Sequence, residues 1–514
     1  MNIMNYTFFR DFYVEVKESL ENHKVNFLFG PRKCGKTVCL LQIENSFPAA
    51  EYFNFKALDY DGKNHLFDKI NNSIVNNENK IYLLDEITYA NNPEIEINKI
   101  ALNFTKNPKT KTRILFTGSQ SIALEAWAHR AFAGDCGTVR ADFLSYSEFL
   151  RYKDIKSINE DSYNRFLFEA ADFCNVHSLR EYLEGCLEET IVSNSKSSEY
   201  IFDNDCELLK DNVDVLINLC YQTMFTLHNH ASNRFFFQNN KLKDTVIAYF
   251  RETCNEFDNK NVEDKISKSF ISAYNSIKSV PLKILKQGLL FLKKCELITL
   301  TPVTNSLNII PNVYNDLIND EGSIDYKEDL FAKYNFCIKY PMFYVQILKD
   351  VLGKDMPKEL PRMLLGSIVE CHTRGLLKNG FEFRTRTADL TGKITEKEVD
   401  YISIDKLFAI EISISKRHNN NFDLLPKEIS CFMLTKDINQ KGAAYNKISY
   451  CDFIYLLSST PQNLFLREIE KKYNNHENKG MKKRNIENET IQKNINKGKD
   501  IIKTKKRRVP SIGD

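Results

Sequence analysis

The sequence is poor in the features that mark secreted and zinc-binding proteins. Its 13 cysteines are scattered along 514 residues, and no two of them form a Cys-x-x-Cys pair. An odd number of dispersed cysteines argues against a disulfide framework and favours free thiols in a reducing compartment. His228 and His230 have no cysteine or histidine partner at the spacing of a zinc site, which favours a polar loop or a capping role.

Long apolar runs are also missing. No window approaches the roughly 18 uncharged apolar residues that suggest a membrane-spanning helix. Residues Met1–Tyr6 lack the basic start and the following apolar run of a signal peptide. We therefore expect a cytoplasmic protein that makes no membrane contact.

Charge of one sign is concentrated at one end of the chain. The net charge is only +3, but residues 471–514 hold 14 Lys/Arg and 5 Asp/Glu, which gives +9 there and leaves −6 for residues 1–470. Because this segment has almost no large apolar residues, residues 466–514 are predicted to be a disordered basic tail. Its run Lys505–Arg508 suits nucleic acid or another polyanion, and the alternative is a tail that only aids solubility.

The most informative stretch lies near the N-terminus, where Gly30–Thr37 fits the P-loop pattern. It follows a predicted strand, Val25–Phe29, and opens a predicted helix at Lys36. In such a loop the backbone N–H groups and the helix N-terminus face a phosphate, while Lys36 reaches the β- and γ-phosphates and Thr37 binds Mg²⁺. The predicted nucleotide-binding residues of the loop are Gly30, Pro31, Arg32, Lys33, Cys34, Gly35, Lys36 and Thr37. The alternative is a surface loop without a ligand.

Two more predicted strands end in polar residues. The apolar run that begins at Lys80 ends in Asp85 and Glu86, which suits a Mg²⁺ ligand followed by a general base. The next strand ends at Thr117, and we expect Thr117 or Ser119 to sense the γ-phosphate, unless this is a simple turn. Since ligands bind at the carboxyl ends of parallel strands, ATP and Mg²⁺ are the predicted cofactors.

These motifs give the chain a resemblance to predicted AAA+-superfamily ATPases of bacteria and archaea that carry a restriction-endonuclease-like C-terminal domain. The resemblance rests on Gly30–Thr37, Leu84–Ile87, Thr117–Ser119 and Leu144–Phe149, the last being similar to the family's PLSF-x-EF signature without its proline. It implies an α/β P-loop ATPase core over residues 1–150, a helical and winged-helix-like region over 151–335, and a restriction-endonuclease-like domain over 336–465.

One residue departs from the family pattern. Relatives have a Gly-Arg pair before the signature, whereas this chain has Gly134 and Asp135. If the arginine of relatives acts as an arginine finger in a homo-oligomer, its role here is vacant or passes to Arg130 or Arg140. Nucleotide binding is not affected by this difference.

The middle region shows a helix-helix-strand pattern. Leu285, Leu289 and Leu292 share one helical face, and a short strand follows from residue 297. The family resemblance implies a winged helix, and winged helices bind DNA in some proteins and only protein in others. The four lysines on this segment do not decide between the two: they are Lys283, Lys286, Lys293 and Lys294.

The C-terminal region carries a second group of acids. Asp400 and Glu411 occupy the acidic positions of an active restriction-endonuclease-like fold, and Glu370 on the preceding helix is a third candidate metal ligand. The lysine position holds Ser413, and Lys416 lies three residues further, which is the opposite face of a strand. We therefore expect a domain that has lost nuclease chemistry. An ATP-regulated nuclease or DNA-binding protein and a non-hydrolysing, nucleotide-gated binding module remain alternatives.

Two further strands are predicted near the end of this region. They are Ile429–Thr435 and Asp452–Leu457.

Overall fold

The structure is a computed structural model of the chain. It describes residues 8–118, 121–194, 209, 212–226, 260–308, 330, 333–357, 360, 362–377, 380–388, 394–414, 421–436, 445–460 and 464–469. Ser119, His228, His230, Lys416 and the basic segment 471–514 lie outside these residues.

A five-stranded parallel sheet organises the N-terminal part of the chain, and it confirms the predicted α/β fold. Its strands are β1 (Val25–Phe29), β2 (Ala50–Asn54), β3 (Ile81–Asp85), β4 (Arg113–Thr117) and β5 (Gly137–Arg140). Their order is β2-β3-β4-β1-β5, and every neighbouring pair is parallel. Because β4 lies between β1 and β3, the carboxyl ends of these three strands are adjacent. All residues of β1 and β3 are buried, as expected for a parallel sheet covered on both faces.

Helices connect and cover these strands. They are α1 (Asp11–Asn22), α2 (Lys36–Ser46), α3 (Tyr60–Val75), α4 (Pro93–Lys106) and α5 (Ser121–Phe132). The helices that follow the sheet are α6 (Tyr146–Tyr152), α7 (Glu160–Phe173), α8 (Leu179–Asn194), α9 (Val213–Thr226), α10 (Lys260–Ser279), α11 (Leu282–Lys294), α12 (Pro341–Leu352), α13 (Arg362–Leu377) and α14 (Tyr450–Ser459). Among the residues that the structure describes, no helix has the length and apolar character needed to cross a membrane.

A second, mixed sheet occupies the C-terminal half. Its strands are β6 (Ile298–Thr304), β7 (Tyr334–Ile338), β8 (Gly380–Ala388), β9 (Ile394–Ser403), β10 (Phe408–Ile412), β11 (Ser430–Thr435) and β12 (Asn446–Ser449), in the order β12-β11-β10-β9-β8-β6-β7. β6 pairs antiparallel with β7 and parallel with β8. The predicted boundary at 335/336 therefore falls inside β7, and the strand after α11 belongs to the same sheet as the C-terminal strands.

Residues 452–457 are helical, so the strand predicted there is wrong. They belong to α14, whose buried residues are Tyr450, Cys451, Phe453 and Ile454. A six-residue apolar run does not by itself distinguish a buried strand from a buried helix, and packing decided in favour of the helix. The strand that precedes it, β12, is the short polar segment Asn446–Ser449.

One hydrophobic core joins the two sheets. It receives Leu28 and Leu83 from the first sheet and Ile410 and Leu434 from the second, and its members run from Phe12 to Ile469. Two smaller cores cover the outer faces of the first and the second sheet. The two halves of the chain are therefore packed through shared apolar contacts.

Candidate nucleotide-binding site

The loop between β1 and α2 has the backbone that the P-loop pattern predicts. Gly30 and Gly35 have φ values of +147° and +102°, which residues other than glycine rarely adopt. A Cβ atom on Gly30 would lie 2.2 Å from the carbonyl oxygen of Ala141. Gly35 precedes the first turn of α2, so the loop leads directly into a helix N-terminus.

Lys36 lies within this loop. Its Nζ atom donates hydrogen bonds to the carbonyl oxygens of Gly30, at 2.7 Å, and Pro31, at 2.8 Å. The side chain is buried. A cationic group is thus held against the loop whose backbone N–H groups and helix terminus favour an anion.

The hydroxyl and the carboxylate predicted to bind Mg²⁺ meet at the carboxyl edge of the first sheet. Thr37 Oγ1 donates to Asp85 Oδ2 at 2.8 Å. Tyr52 OH donates to the same oxygen at 2.9 Å. Tyr52 was not predicted from the sequence; it lies in the middle of β2, and only the pairing of β2 with β3 brings it to Asp85.

Two sets of effects act on the pKa of Asp85 in opposite directions. Burial and the neighbouring charge of Glu86 raise the pKa of the Asp85 carboxyl, while hydrogen bonds from Thr37 and Tyr52 and the charge of Lys36 act in the opposite direction. The net result is a raised pKa. A carboxylate with this environment gains from a nearby cation, because the cation favours its charged form.

Glu86 follows Asp85 in a left-handed conformation, with φ 53° and ψ 44°. This conformation is uncommon for a residue with a side chain, and such residues concentrate at functional sites. The backbone N–H of Glu86 donates to Asp85 Oδ1 at 3.0 Å. Glu86 lines the same cavity as Lys36, Thr37 and Asp85.

That cavity has a volume of about 240 Å³ and contains residues that the sequence did not single out. Phe8 and Phe173 lie on it with their rings edge to face, 6.0 Å between centroids. Gln42 Nε2 donates to the carbonyl oxygen of Phe8 at 3.0 Å, and Lys33 Nζ donates to that of Asn175 at 2.8 Å. The cavity therefore combines charged groups near the P-loop with aromatic side chains from elements distant in sequence.

The predicted γ-phosphate sensors are placed differently from each other. Thr117 is fully buried, and its hydroxyl donates to the carbonyl oxygen of Leu28 at 3.0 Å, which fastens β4 to β1. Ser119 lies outside the described residues. A sensing role for either residue stays a prediction.

Arg32 of the loop is bound to α8. Its Nε atom pairs with Glu189 at 3.1 Å, and its guanidinium lies against Gly185, where an added Cβ would clash with it. Arg32 thus connects the P-loop to α8.

The two arginines considered as replacements for the one missing at Asp135 are both ion-paired within the chain. Arg130 pairs with Glu94 at 2.8 Å, and Arg140 pairs with Glu296. Both side chains are exposed, at 39% and 42%.

The second group of acids lies on α13, β9 and β10. Asp400 Oδ2 accepts from the backbone N–H of Ile412 at 2.6 Å, and Glu411 Oε1 accepts from Asn421 at 3.1 Å. Burial raises the pKa of Glu370 to about 8 against the opposing charge of Arg374. Burial and then the charges of neighbouring acids raise the pKa of Asp400 to about 8 and that of Glu411 to about 10.

A second metal site at Glu370, Asp400 and Glu411 stays a prediction. Among the described residues, no group of three or more His, Cys, Asp and Glu side chains is arranged to hold a metal ion. The reason is visible at Glu370, whose Oε1 accepts from Arg374 NH2 at 2.5 Å, one helical turn away. The same guanidinium nitrogen also binds the buried Glu382 at 3.0 Å.

The lysines of α11 have different environments. Lys286 is buried, and burial lowers the pKa of Lys293. Neither forms an open cationic surface.

Residues 22–150 match the family model of the AAA domain. This AAA match includes the P-loop, β3 with Asp85 and Glu86, and the Leu144–Phe149 segment. No curated protein matches the chain.

Solved structures of low similarity include a Walker-type ATPase and two proteins bound to a nucleotide analogue or to DNA. The Walker-type ATPase paby2304 of Pyrococcus abyssi is 13% identical, with 66% of this chain and 95% of that chain covered and a TM-score of 0.36. AMPPCP-bound DnaA from Aquifex aeolicus is 14% identical, with 54% and 91% covered and a TM-score of 0.25. The Aeropyrum pernix ORC1 protein in complex with DNA is 10% identical, with 66% and 91% covered and a TM-score of 0.23. At these values the likenesses add nothing to the AAA match.

Proposed function

We propose that the protein is a Mg²⁺-dependent ATPase of the AAA+ superfamily. The observation that carries this proposal is the hydrogen bond between Thr37 and Asp85, 2.8 Å long, which joins the two predicted Mg²⁺ ligands across 48 positions of sequence. It lies where β1, β3 and β4 end side by side, the edge at which parallel sheets bind ligands.

The residues at this edge fit a magnesium-bound nucleoside triphosphate. A hydroxyl and a carboxylate are the hard oxygen ligands that Mg²⁺ prefers. When bound, Mg²⁺ neutralises charge on the phosphate oxygens. Lys36 and the loop N–H groups hold the phosphates, and Phe8 and Phe173 offer apolar surface for the base. Glu86 takes a proton from the attacking water as general base.

Phosphate release from ATP tests the proposal directly. We expect Lys36→Ala to abolish binding and release, and Glu86→Gln to abolish release while ATP still binds. Lys80→Ala is the control, because Lys80 pairs with Glu51 at the opposite end of β3 from Asp85. A wild-type protein that binds ATP but releases no phosphate, with or without DNA, would show that the hydrolysis proposal is wrong.

A non-hydrolysing, nucleotide-gated binding module is the second candidate. It is favoured by Asp135 and by the ion pairs of Arg130 and Arg140, which occupy the side chains that would serve as arginine fingers. Phosphate release measured over a range of protein concentrations separates the candidates. A rate per chain that rises with concentration indicates a finger supplied by a neighbouring copy in a homo-oligomer, and undetectable release at all concentrations favours the module.

For the C-terminal region we propose a restriction-endonuclease-like domain without nuclease activity. Its support is the helix α13 followed by antiparallel β8, β9 and β10 and parallel β11, together with Ser413 in place of lysine and Arg374 among the acids. Helices α10 and α11 with the β6–β7 pair support a winged-helix-like middle region. We expect no Mg²⁺-dependent DNA cleavage, and cleavage that Asp400→Ala abolishes would contradict this.

DNA is the proposed macromolecular partner, through the middle region, the C-terminal domain or the basic segment at the end of the chain. The proposed location is the cytoplasm, which agrees with the free thiols of the described cysteines. DNA binding that persists after removal of residues 471–514 would place the contact in the folded part of the chain. Loss of binding would place it in the basic segment.

A further inference from the structure

Arg10 makes a set of contacts that the proposed hydrolysis does not use. Its NH1 donates to the carbonyl oxygen of Cys34 in the P-loop at 2.9 Å. Its Nε and NH2 donate to the two carboxylate oxygens of Glu148 at 2.8 and 3.0 Å, and NH2 also donates to the carbonyl oxygen of Asp142 at 2.9 Å. Arg10 is only 7% exposed. A buried, bidentate arginine with four contacts has a fixed orientation.

Glu148 is held as firmly as Arg10. It accepts from the backbone N–H of Asp11 at 2.8 Å and from that of Ser145 at 2.9 Å, while Ser145 caps α6 in return. Burial alone would raise the pKa of Glu148, but the charge of Arg10 and these hydrogen bonds keep it below its usual value. Both partners are therefore charged at neutral pH, and neither can be removed without leaving a buried charge.

The contact with Cys34 affects the geometry of the phosphate-binding loop. A trans peptide is planar, so the carbonyl of Cys34 and the N–H of Gly35 point in opposite directions. By holding this carbonyl, Arg10 fixes the direction of the Gly35 N–H, which belongs to the P-loop cradle. An N–H that is already oriented binds an anion without the cost of ordering it.

The residue before Glu148 in α6 makes a contact in another part of the molecule. Ser147 Oγ donates to the carbonyl oxygen of Ser458 at 2.9 Å, and Ser458 Oγ accepts from the N–H of Ser147 at 3.3 Å. Ser458 belongs to α14 in the C-terminal half. Neighbouring residues of one short helix thus contact Arg10, and through it the P-loop, on one side and α14 on the other.

A cavity of about 300 Å³ lies at this junction. Arg10, Asp142, Glu148, Lys339 and Ser458 all line it. A second polar contact spans this cavity: Lys339, directly after β7, donates from Nζ to the carboxylate of Asp142 at 2.9 Å. Arg10 lines both this cavity and the nucleotide cavity, so it separates the two.

We propose that Arg10 is a positioning residue for the P-loop, and that the path from Cys34 through Arg10, Glu148 and Ser147 to Ser458 couples nucleotide binding to α14. The proposal rests on the proposed nucleotide site. The coupling is reciprocal. If nucleotide binding stabilises the docked position of α14, then docking of α14 increases the affinity for nucleotide by the same free energy.

The test uses the full chain with a non-hydrolysable ATP analogue. Affinity is measured by titration, and protection of the α14 amides by hydrogen exchange with and without the analogue. We expect Arg10→Gln to weaken binding about 10- to 100-fold, the size of one lost hydrogen bond to a charged group. Arg10→Lys keeps the charge but not the fork, so we expect an intermediate affinity.

Coupling is read from α14. In the wild type we expect the analogue to increase its protection, and in Glu148→Gln and Ser147→Ala we expect that increase to disappear while the protein stays folded. Glutamine still completes the capping box of α6 but leaves the Arg10 charge without its carboxylate, so Ser147→Ala, which keeps the ion pair, decides the coupling if Glu148→Gln does not fold. Arg151→Gln is the matched control, because Arg151 lies on the same helix but pairs with the exposed Asp11.

Three results would overturn the proposal. Wild-type affinity in Arg10→Gln refutes the positioning role. An unchanged protection response in Glu148→Gln and Ser147→Ala refutes the coupling. A wild type that binds no nucleotide refutes the proposed site and this inference together. A wild type that binds nucleotide, with either of the first two results, refutes this inference alone. If Arg10→Gln does not fold, Arg10→Lys and Glu148→Gln are judged by the same criteria.

Discussion

At the scale of single residues, Asp85 is where the candidate site is assembled. Thr37, Tyr52 and the N–H of Glu86 all donate to its carboxylate. Thr37 and Asp85 were predicted because the chemistry of Mg²⁺ and phosphate demands particular residue types at a recognisable spacing. Tyr52 was not, because its role depends on which strand lies beside β3, and one sequence does not reveal strand order.

Tyr52→Phe removes one hydrogen bond that favours the charged form of Asp85. The pKa of Asp85 is already raised, and loss of this hydrogen bond should raise it further. Protons should then compete with Mg²⁺ for Asp85 at higher pH. We expect the Mg²⁺ concentration for half-maximal binding of an ATP analogue to increase about fivefold, with a larger effect at pH 6 than at pH 8. Tyr13→Phe is the control, because the Tyr13 hydroxyl forms its hydrogen bond with the exposed Ser46 of α2, away from Asp85. Equal Mg²⁺ dependence in both variants would remove Tyr52 from the site.

His372 provides a prediction about pH and stability. It is buried on α13, with Nδ1 2.9 Å from Tyr163 OH, and burial lowers the pKa of His372 from 6.5 to about 3. Between these values the unfolded chain binds a proton that the folded chain does not, so stability falls as pH drops from about 6.5 towards 3.

We therefore expect His372→Gln to have a lower unfolding temperature at pH 8 but a smaller loss of it between pH 7 and pH 5 than the wild type. The matched control is His177→Gln, because His177 is exposed. An unchanged slope in His372→Gln would show that this histidine does not contribute to acid destabilisation.

At the scale of elements, the sequence predicted best where periodicity and function agree. β1 spans the predicted residues Val25–Phe29, and α2 begins at the predicted Lys36. These segments combine buried strands with a motif whose geometry permits few alternatives. The prediction failed for α14, where a short apolar run has no period of its own, and it missed the addition of β6 and β7 to the C-terminal sheet. That addition is a long-range pairing, which local pattern does not encode.

α13 packs so closely on the end of β7 that one methyl group should matter. A Cβ on Gly375 would lie 2.4 Å from the carbonyl oxygen of Lys339, a backbone atom that cannot rotate away. We expect Gly375→Ala to destabilise the protein by about 1–3 kcal/mol, although alanine favours helices by about 1 kcal/mol over glycine. Gly62→Ala, whose Cβ meets the side chain of Asp59, is the control. Denaturant midpoints compare them, and a stabilised Gly375→Ala would show that the helix has room to move.

At the scale of the whole molecule, the shared core makes the two halves interdependent. The second sheet has one face on the shared core and one on its own outer core. Adjacent residues of β11 show this, since Leu434 faces the shared core and Met433 faces the outer core. The boundary at 335/336, which the family resemblance implied, falls inside β7. How the two halves pack is set by contacts between distant segments, which explains why it was not predicted.

We expect the folded part of the chain to unfold in a single calorimetric transition, with calorimetric and van't Hoff enthalpies that agree. Leu434→Ala and Met433→Ala should each shift that transition downwards, by an amount that corresponds to about 2–5 kcal/mol. Two separate transitions, of which only one responds to both substitutions, would show that the halves unfold independently.

The contact between Tyr163 and His372 also has a consequence for biosynthesis. These residues are 209 positions apart, and a ribosome needs on the order of 10–40 s to add that many. During this interval the aromatic face of α7 has been made but its cover, α13, has not. We therefore expect the newly made N-terminal half to leave the ribosome with an uncovered apolar surface that chaperones bind until the C-terminal half arrives.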